Sequence, residues 1–235
     1  METIAIIPAR KGSVGIPGKN YYPICGQPLV YWSLLAAYQS SVETIILTTN
    51  CPQVKKIGLE FKEECGDRKR IHVIGRPKSC STSMTPTEET MDHALNYIQK
   101  KRNINDSLIM LLQPTSPARK NGLIDTCLKK LLNSHADGIM TCSEHTPFFY
   151  KRGKSFVKAI RDNVRVPRQM LDPSKMYLHD NGNVYITRYN SFTNYGRIGR
   201  KTIGHVISDF ESMQIDEPQD ILAMEALAKV FGGFL

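Results

Sequence analysis

The sequence predicts the α/β class, a mostly parallel sheet covered by helices on both faces, and three observations predict it. Short apolar runs alternate with helical segments through most of the chain, as in folds built of β-α units. The first apolar run, Ile4-Ala5-Ile6-Ile7, opens into a glycine-rich basic loop, Arg10-Lys11-Gly12-Ser13-Val14-Gly15-Ile16-Pro17-Gly18-Lys19-Asn20. A length of 235 residues suits one such domain, with or without an appendage, and can bury a substantial core, although length alone also allows two small domains.

Taken in order, the expected strands are Thr3–Pro8, Glu43–Thr48, Ile71–Ile74, Leu108–Leu112, Gly138–Cys142 and Asn183–Thr187. The helices between and after them are expected at Pro28–Gln39, Gln53–Glu64, Pro86–Lys101, Gly122–Leu132 and Glu217–Phe231. In the first helix Leu29, Trp32, Leu35 and Ala36 fall at helical spacing. No repeat, low-complexity tract or interdomain linker is visible. The stretch 143–181 breaks the rhythm, with Pro147-Phe148-Phe149-Tyr150 followed by Arg161, Arg165 and Pro167-Arg168-Gln169. A long irregular segment inside a compact domain is often functional.

Composition narrows the function classes. Hydrophobic residues at 41% and charged residues at 23% are ordinary for a soluble globular chain. No apolar run reaches the roughly 20 residues of a membrane span, and the N-terminus lacks the pattern of a signal peptide. Six cysteines are scattered without a C-x-x-C pair, which reads as free thiols in a cytoplasmic protein. The net charge of +9 is dispersed; it fits anionic small substrates better than nucleic acid or a membrane surface.

The loop after the first strand carries the chemistry. Its three glycines permit positive φ and close approach of the backbone to a ligand, and main-chain N–H groups in such a turn can cradle an anion. With Arg10, Lys11 and Lys19 close by, the loop suits a polyphosphate. Neither G-x-x-x-x-G-K-[ST] nor G-x-G-x-x-G fits it. The full pattern is an apolar strand, then Pro-Ala-Arg-x-Gly-Ser-x-Gly-Ile-x-x-Lys-Asn, then Cys25-Gly26-Gln27-Pro28-Leu29-Val30. It resembles the N-terminus of the acylneuraminate cytidylyltransferases.

That resemblance implies a Rossmann-like, GT-A-like nucleotidyltransferase fold, a three-layer α/β/α sandwich spanning residues 1–235 as one domain. It implies transfer of CMP from CTP to a nine-carbon 2-keto sugar acid, with Mg²⁺ as cofactor and pyrophosphate as second product. It also implies a homodimer in which a small lobe formed by 143–181 completes the partner's site. Ala9, Arg10, Gly12, Ser13, Lys19 and Asn20 match the family's triphosphate loop. Val14 stands where the family usually has Lys or Arg, with Lys11 a candidate substitute.

Three further motifs follow in order. Leu111-Leu112-Gln113-Pro114-Thr115-Ser116-Pro117-Ala118-Arg119 is close to the family's Leu-Gln-Pro-Thr-Ser-Pro-Leu-Arg, and the resemblance gives Gln113 to the acceptor sugar. Ligands of open α/β sheets sit beyond the carboxyl ends of strands, where Gln113 is expected; Thr115 or Ser116 reads better as the start of the next helix than as a ligand contact. Val166-Pro167-Arg168-Gln169, followed by Asn181-Gly182-Asn183-Val184-Tyr185-Ile186, is similar to the family's Pro-Arg-Gln and Asn-Gly-x-x-Tyr-Ile. The resemblance gives Arg168 to a sugar carboxylate or a phosphate and Asn181 to sugar hydroxyls, although Asn-Gly is also a strong hairpin signal. Gln214-Ile215-Asp216 is similar to the family's Asp-Ile-Asp, so Asp216 and, more weakly, Gln214 are the expected metal ligands. Asp216 with Gln219 also has the layout of a capping box for the last helix.

Arg76 corresponds loosely to a nucleotide-holding position, while His93 reads as structural. Arg10, Lys19 and Asp216 are thus the expected catalytic residues. Gln-Gly-Asp-Glu-Pro, which marks the KDO branch, is missing after Leu112. Another sugar nucleotidyltransferase, or a non-catalytic nucleotide-binding homologue, stays open as an alternative.

Overall fold

The computed structural model describes residues 1–146, 148–160, 166–172, 174 and 176–234, with the side chains of Val157 and Arg168 left aside. The strands are β1 (Glu2–Pro8), β2 (Pro23–Ile24), β3 (Gln27–Pro28), β4 (Thr44–Thr49), β5 (Ile71–Gly75) and β6 (Ser107–Leu112), then β7 (Gly138–His145), β8 (Tyr150–Arg152), β9 (Val157–Ala159), β10 (Tyr177–Arg188) and β11 (Thr202–Val206). The helices are α1 (Leu29–Gln39), α2 (Pro52–Cys65), α3 (Thr87–Gln99), α4 (Leu123–Leu132), α5 (Tyr189–Tyr195) and α6 (Pro218–Phe231).

Seven strands form one sheet in the order β11-β7-β10-β6-β1-β4-β5. Among them only β10 runs against its neighbours, so the expected mostly parallel α/β sheet is what forms. Strands buried on both faces read as near-continuous apolar runs, with small hydroxyl residues tolerated toward their ends. Accordingly β4 (TIILTT) and β6 (SLIMLL) are buried throughout, and Ile6 of β1 lies between Ile46 of β4 and Leu111 of β6. Side-chain alternation divides these strands between two cores. Ala5, Ile7, Ile45, Leu47, Met110 and Leu112 pack with α1, α2 and α4. Ile4, Ile6, Ile46, Ile109 and Leu111 face Met91, Leu95 and Ile98 of α3 and Phe192 of α5.

A third, smaller core joins Ile16 of the glycine-rich loop to Ile24, Leu29 and Ile215, and to Ile221, Met224 and Ala228 of α6. It fastens the loop to the last helix, which short-range patterning could not reveal.

Two local expectations are corrected. The last helix is capped one residue later than the Asp216–Gln219 layout suggested. Glu217 is the N-cap and Asp220 the reciprocal partner of the capping box. The reason is Pro218: proline favours the first helical position and holds the residue before it extended. Asn181-Gly182 is not a hairpin turn but lies inside β10, where the register against β7 shifts between Asp180 and Tyr185. Gly182, at φ +69°, supplies the left-handed residue such a bulge needs.

Within 143–181 the described residues hold the tails of β7 and β10 and a small antiparallel pair, β8 with β9. No described helix is long and apolar enough to cross a membrane.

His72, His93 and His205 are partly buried, and burial, reinforced by nearby lysines and arginines, pulls all three imidazoles below their ordinary pKa. Buried neutral in the fold, they take up protons first in the unfolded chain. Their contribution to stability is present above about pH 6.5 and is lost as pH falls from there toward the folded-state values. The urea midpoint is therefore expected to be lower at pH 6.0 than at 7.5, and His72→Phe to reduce that difference. Equal midpoints would contradict this reading of the imidazoles.

Candidate active site at the carboxyl ends of the strands

The sheet order places β1 between β4 and β6, a reversal of winding that opens a crevice beyond the strand ends. The glycine-rich loop leaves β1 at that point. A cavity of about 480 Å³ lies there, with the loop on one side, Gln113, Pro114 and Thr115 along another, and Asp216 and Glu217 closing the end.

The loop is held from beneath. The Ala9 N–H donates to Thr48 O at 3.0 Å, and its carbonyl accepts from Thr49 Oγ1 at 2.6 Å. Ala9 is fully buried and supports Arg10 from below the cleft wall. Asn20 Nδ2 donates to Arg10 O at 3.0 Å across the base of the loop, and Arg10 Nη1 donates to Gly12 O at 2.6 Å. Gly12 and Gly18 have the positive φ expected of such a loop. Gly15 serves a different need, since a Cβ there would overlap the main-chain oxygen of Asp216.

Lys19 begins a short 3₁₀ turn, Lys19–Tyr21. Its Nζ donates to Ile215 O at 2.9 Å and to Asp216 Oδ1 at 2.8 Å. The lysine side chain is 12% exposed and the aspartate side chain 61% exposed. Two residues 197 apart in sequence are thus brought together at the mouth of the cleft. Asp216 is relieved of capping because the Asp220 carboxylate accepts from the N–H groups of Asp216 and Glu217, at 2.8 and 2.7 Å. Its own carboxylate faces the cleft.

The opposite wall carries Arg76, just beyond β5, and the hydroxyls of Thr82, Ser83, Thr85, Thr87 and Thr90. Arg76 Nε donates to Cys80 O. Burial, with a smaller push from Arg10, lowers its pKa below the ordinary arginine value, so two guanidiniums share a cavity suited to anions. The sequence matched this wall only loosely, because its hydroxyls come from an irregular stretch and the first turns of α3. Ser13 and Val14 line the cleft too, and Val14 is 85% exposed. Lys11 instead lines a separate cavity of about 230 Å³ behind the loop, with Cys51 and Val54. It does not occupy the position that Val14 leaves uncharged.

Gln113 lies at the expected strand end. Asn181 is placed differently from a free sugar contact. It is 3% exposed; its Oδ1 accepts from Thr141 Oγ1 at 2.8 Å and its Nδ2 donates to Ser212 Oγ at 2.9 Å. Gln214 Nε2 donates to Asn181 O at 2.6 Å, which turns Gln214 toward the β10 bulge. Gly182 joins these groups: a Cβ there would overlap the Gln214 amide and lie 2.5 Å from Gln113 Oε1. Asp180 is occupied in the same bulge, accepting from Gly182 N at 3.0 Å and Tyr185 Oη at 2.6 Å. Arg168 starts a 3₁₀ turn, Arg168–Met170, and its side chain lies outside the described residues, as do Arg161 and Arg165.

Arg119, quoted in the second motif but given no role there, is fully buried. Burial brings its pKa down to about 9, which leaves it cationic at neutral pH.

A family model described as cytidylyltransferase matches residues 4–199. The chain belongs to the cytidylyltransferase family. Over 121 residues, 51% of this cytidylyltransferase-family chain and 49% of the relative, it is 33% identical to the CMP-N,N'-diacetyllegionaminic acid synthase of Legionella pneumophila. Over 229 residues, 93% of the chain and 50% of the relative, it is 26% identical to the N-acylneuraminate cytidylyltransferase of Escherichia coli O18:K1:H7. These alignments span about half the length of the curated relatives. In fold it is similar to the CMP:2-keto-3-deoxy-manno-octonic acid synthetase complexed with CTP, with a TM-score of 0.67 at 16% identity, covering 98% of this chain and 100% of that one. At that identity the likeness concerns the Rossmann-like nucleotidyltransferase fold alone.

No grouping of three or more His, Cys, Asp or Glu that could hold a metal occurs among the described residues. Mg²⁺ seldom needs such a cage, being commonly held by one or two carboxylates together with substrate phosphates. The exposed Asp216 carboxylate beside the basic loop fits that mode. Gln214 donates its amide nitrogen to Asn181 O, which leaves Oε1 as the oxygen it could offer a metal.

Proposed function

We propose that the chain transfers CMP from CTP to the anomeric hydroxyl of a nine-carbon 2-keto sugar acid, of the sialic, legionaminic or pseudaminic type. The observation that carries this reading is the convergence of Arg10, Lys19, Arg76, Gln113 and Asp216 on one cleft of about 480 Å³. The acceptor oxygen bonds to the α-phosphorus while the bond to the bridging oxygen of the β-phosphate breaks, pyrophosphate leaves with that oxygen, and the hydroxyl proton passes to solvent. Such chemistry depends on positioning and on neutralising developing charge. The triphosphate lies along the glycine-rich loop, with Ser13 and main-chain N–H groups as donors and Arg10, Lys19 and Arg76 as counter-charges. Gln113 orients the acceptor. Asp216 would hold Mg²⁺, which when bound would neutralise phosphate charge and favour deprotonation of the attacking hydroxyl.

The working unit in this reading is a cytoplasmic homodimer. Its contact is the 143–181 region, where Phe156 and Ile160 are 86% and 59% exposed.

The test is incubation with CTP and Mg²⁺ against a panel of eight- and nine-carbon keto-sugar acids, with pyrophosphate release as the readout. Release with one nine-carbon acid, abolished by Asp216→Ala, is the expected result. Release with an eight-carbon acid would move the chain to the other branch. CTP binding without turnover on any acid would overturn the catalytic reading in favour of a nucleotide-binding homologue.

A further inference from the structure

Arg119 is the largest fully buried side chain of the described residues, and none of its described hydrogen-bond partners is a carboxylate. Its Nη1 donates to Ser33 Oγ at 2.9 Å. Nη2 donates to Gln113 O at 2.7 Å and to Asn183 O at 2.9 Å, and Nε reaches Asn183 O at 3.2 Å. A guanidinium buried without a counter-ion is costly unless its donors are well satisfied. Here the planar fork meets acceptors on α1, just beyond β6 and on β10.

Two of those acceptors are main-chain oxygens that set the acceptor end of the cleft. Gln113 is the first residue beyond β6, and its side chain lies against Gly182. Asn183 follows Gly182 directly, within the span where β10 shifts register against β7, and Asn181 carries Gln214 on its carbonyl. The same segment is tied down twice more, since Asn183 Nδ2 donates to Glu211 O at 2.7 Å and to Ala118 O at 3.3 Å. Strand pairing alone does not fix this corner. Gln113 lies outside β6, and the bulge interrupts the β10–β7 ladder.

We infer that Arg119 is a positioning residue for the acceptor, fixing Gln113 against the β10 bulge from beneath the cleft while leaving the triphosphate loop to its own supports. The inference rests on the proposed reaction for its functional meaning, but its geometry is independent of it. The glycine-rich loop is held by Thr48, Thr49, Asn20 and the Ile16 core, none of which Arg119 touches among its described hydrogen bonds.

The decisive variant is Arg119→Lys, which keeps the charge but replaces the fork by a single ammonium that cannot reach Ser33, Gln113 and Asn183 together. Ser33→Ala, which removes one acceptor of the arginine together with the longer Ser33 Oγ donation to Gln113 O at 3.4 Å, covers the case in which the lysine variant does not fold. Two readouts are taken. In hydrogen–deuterium exchange, amides in 113–116 and 181–184 are expected to exchange about tenfold faster in Arg119→Lys, while those in 10–20 keep their wild-type rates. In steady-state kinetics, KM for the acceptor is expected to rise about tenfold or more, with the Kd of CTP within about twofold of wild type.

Unchanged exchange at both segments, or acceleration spread equally over the glycine-rich loop, would overturn the inference. So would a loss of CTP affinity matching the loss of acceptor affinity. If wild-type protein turns over no acid, the proposed reaction fails while the exchange pattern still decides the positioning role of Arg119.

Discussion

Lys19→Ala is expected to lower kcat/KM for CTP by about 10²–10³-fold, the usual consequence of removing one preorganised group that meets developing charge. The lysine is held by Ile215 O and Asp216 Oδ1 before any ligand arrives. Its ammonium therefore needs little reorganisation when phosphate replaces part of that contact. Truncation removes the cation and leaves Asp216 without its partner, so the single variant mixes two effects. A double-mutant cycle with Asp216→Ala separates them. If Lys19 served only to hold Asp216, the double variant would be no worse than Asp216→Ala. Additional loss in the double variant is expected if, as proposed, the cation also meets the triphosphate. Because Asp216→Ala is expected to abolish turnover, the cycle is read as the Kd of CTP by equilibrium binding, and unchanged CTP affinity in Lys19→Ala would refute the placement of the triphosphate on this loop.

Gly15→Ala is the second large effect, and its origin is steric. The added methyl would overlap the main-chain oxygen of Asp216 and come within 3.2 Å of Glu217 Oε1. Backbone stands against backbone here, so no side-chain rotation relieves the contact. Either the loop or the entry to α6 must move. The stability cost is expected to be about 1–3 kcal/mol, as for other overpacked sites. The loss in CTP affinity should be larger than that cost implies, because the displacement separates Lys19 from Asp216 and draws Ile16 from its core. Thermal unfolding and CTP binding measured on the same preparation test both halves. Wild-type CTP affinity in a destabilised Gly15→Ala protein would show that the loop does not need this close approach.

The division between sequence and structure follows the range of the interactions. Local patterning was enough for the strands that build the sheet centre. Continuous apolar runs such as Ile45-Ile46-Leu47 and Leu108 to Leu112 have few alternatives to burial on both faces. It was also enough to single out the glycine-rich loop, since glycines and cations at close spacing state their use within a dozen residues, and Gln113 fell at its strand end because the apolar run before it stops there.

Local patterning failed where neighbours in space are distant along the chain. Strand β11 and helix α5 were missed, being short elements whose apolar residues are completed by others. The Asn181-Gly182 pair carried the local signal of a hairpin and became a bulge, because pairing with both β6 and β7 extends β10 through it. The capping register before α6 was misread, although Pro218 held the needed information.

What the sequence by itself determined was the α/β class, the phosphate-suited loop, and the identity of Arg10, Lys19, Gln113 and Asp216 as candidates. Only the tertiary structure decided how those candidates divide their work. It paired Lys19 with Asp216, committed Asn181 and Gln214 to the bulge, sent Lys11 behind the loop, and buried Arg119 beneath Gln113. Each of those outcomes depends on which hydrogen-bond partner a polar group meets once water is excluded. That is set by packing of segments up to 197 positions apart in the chain, a separation at which residue spacing carries no signal.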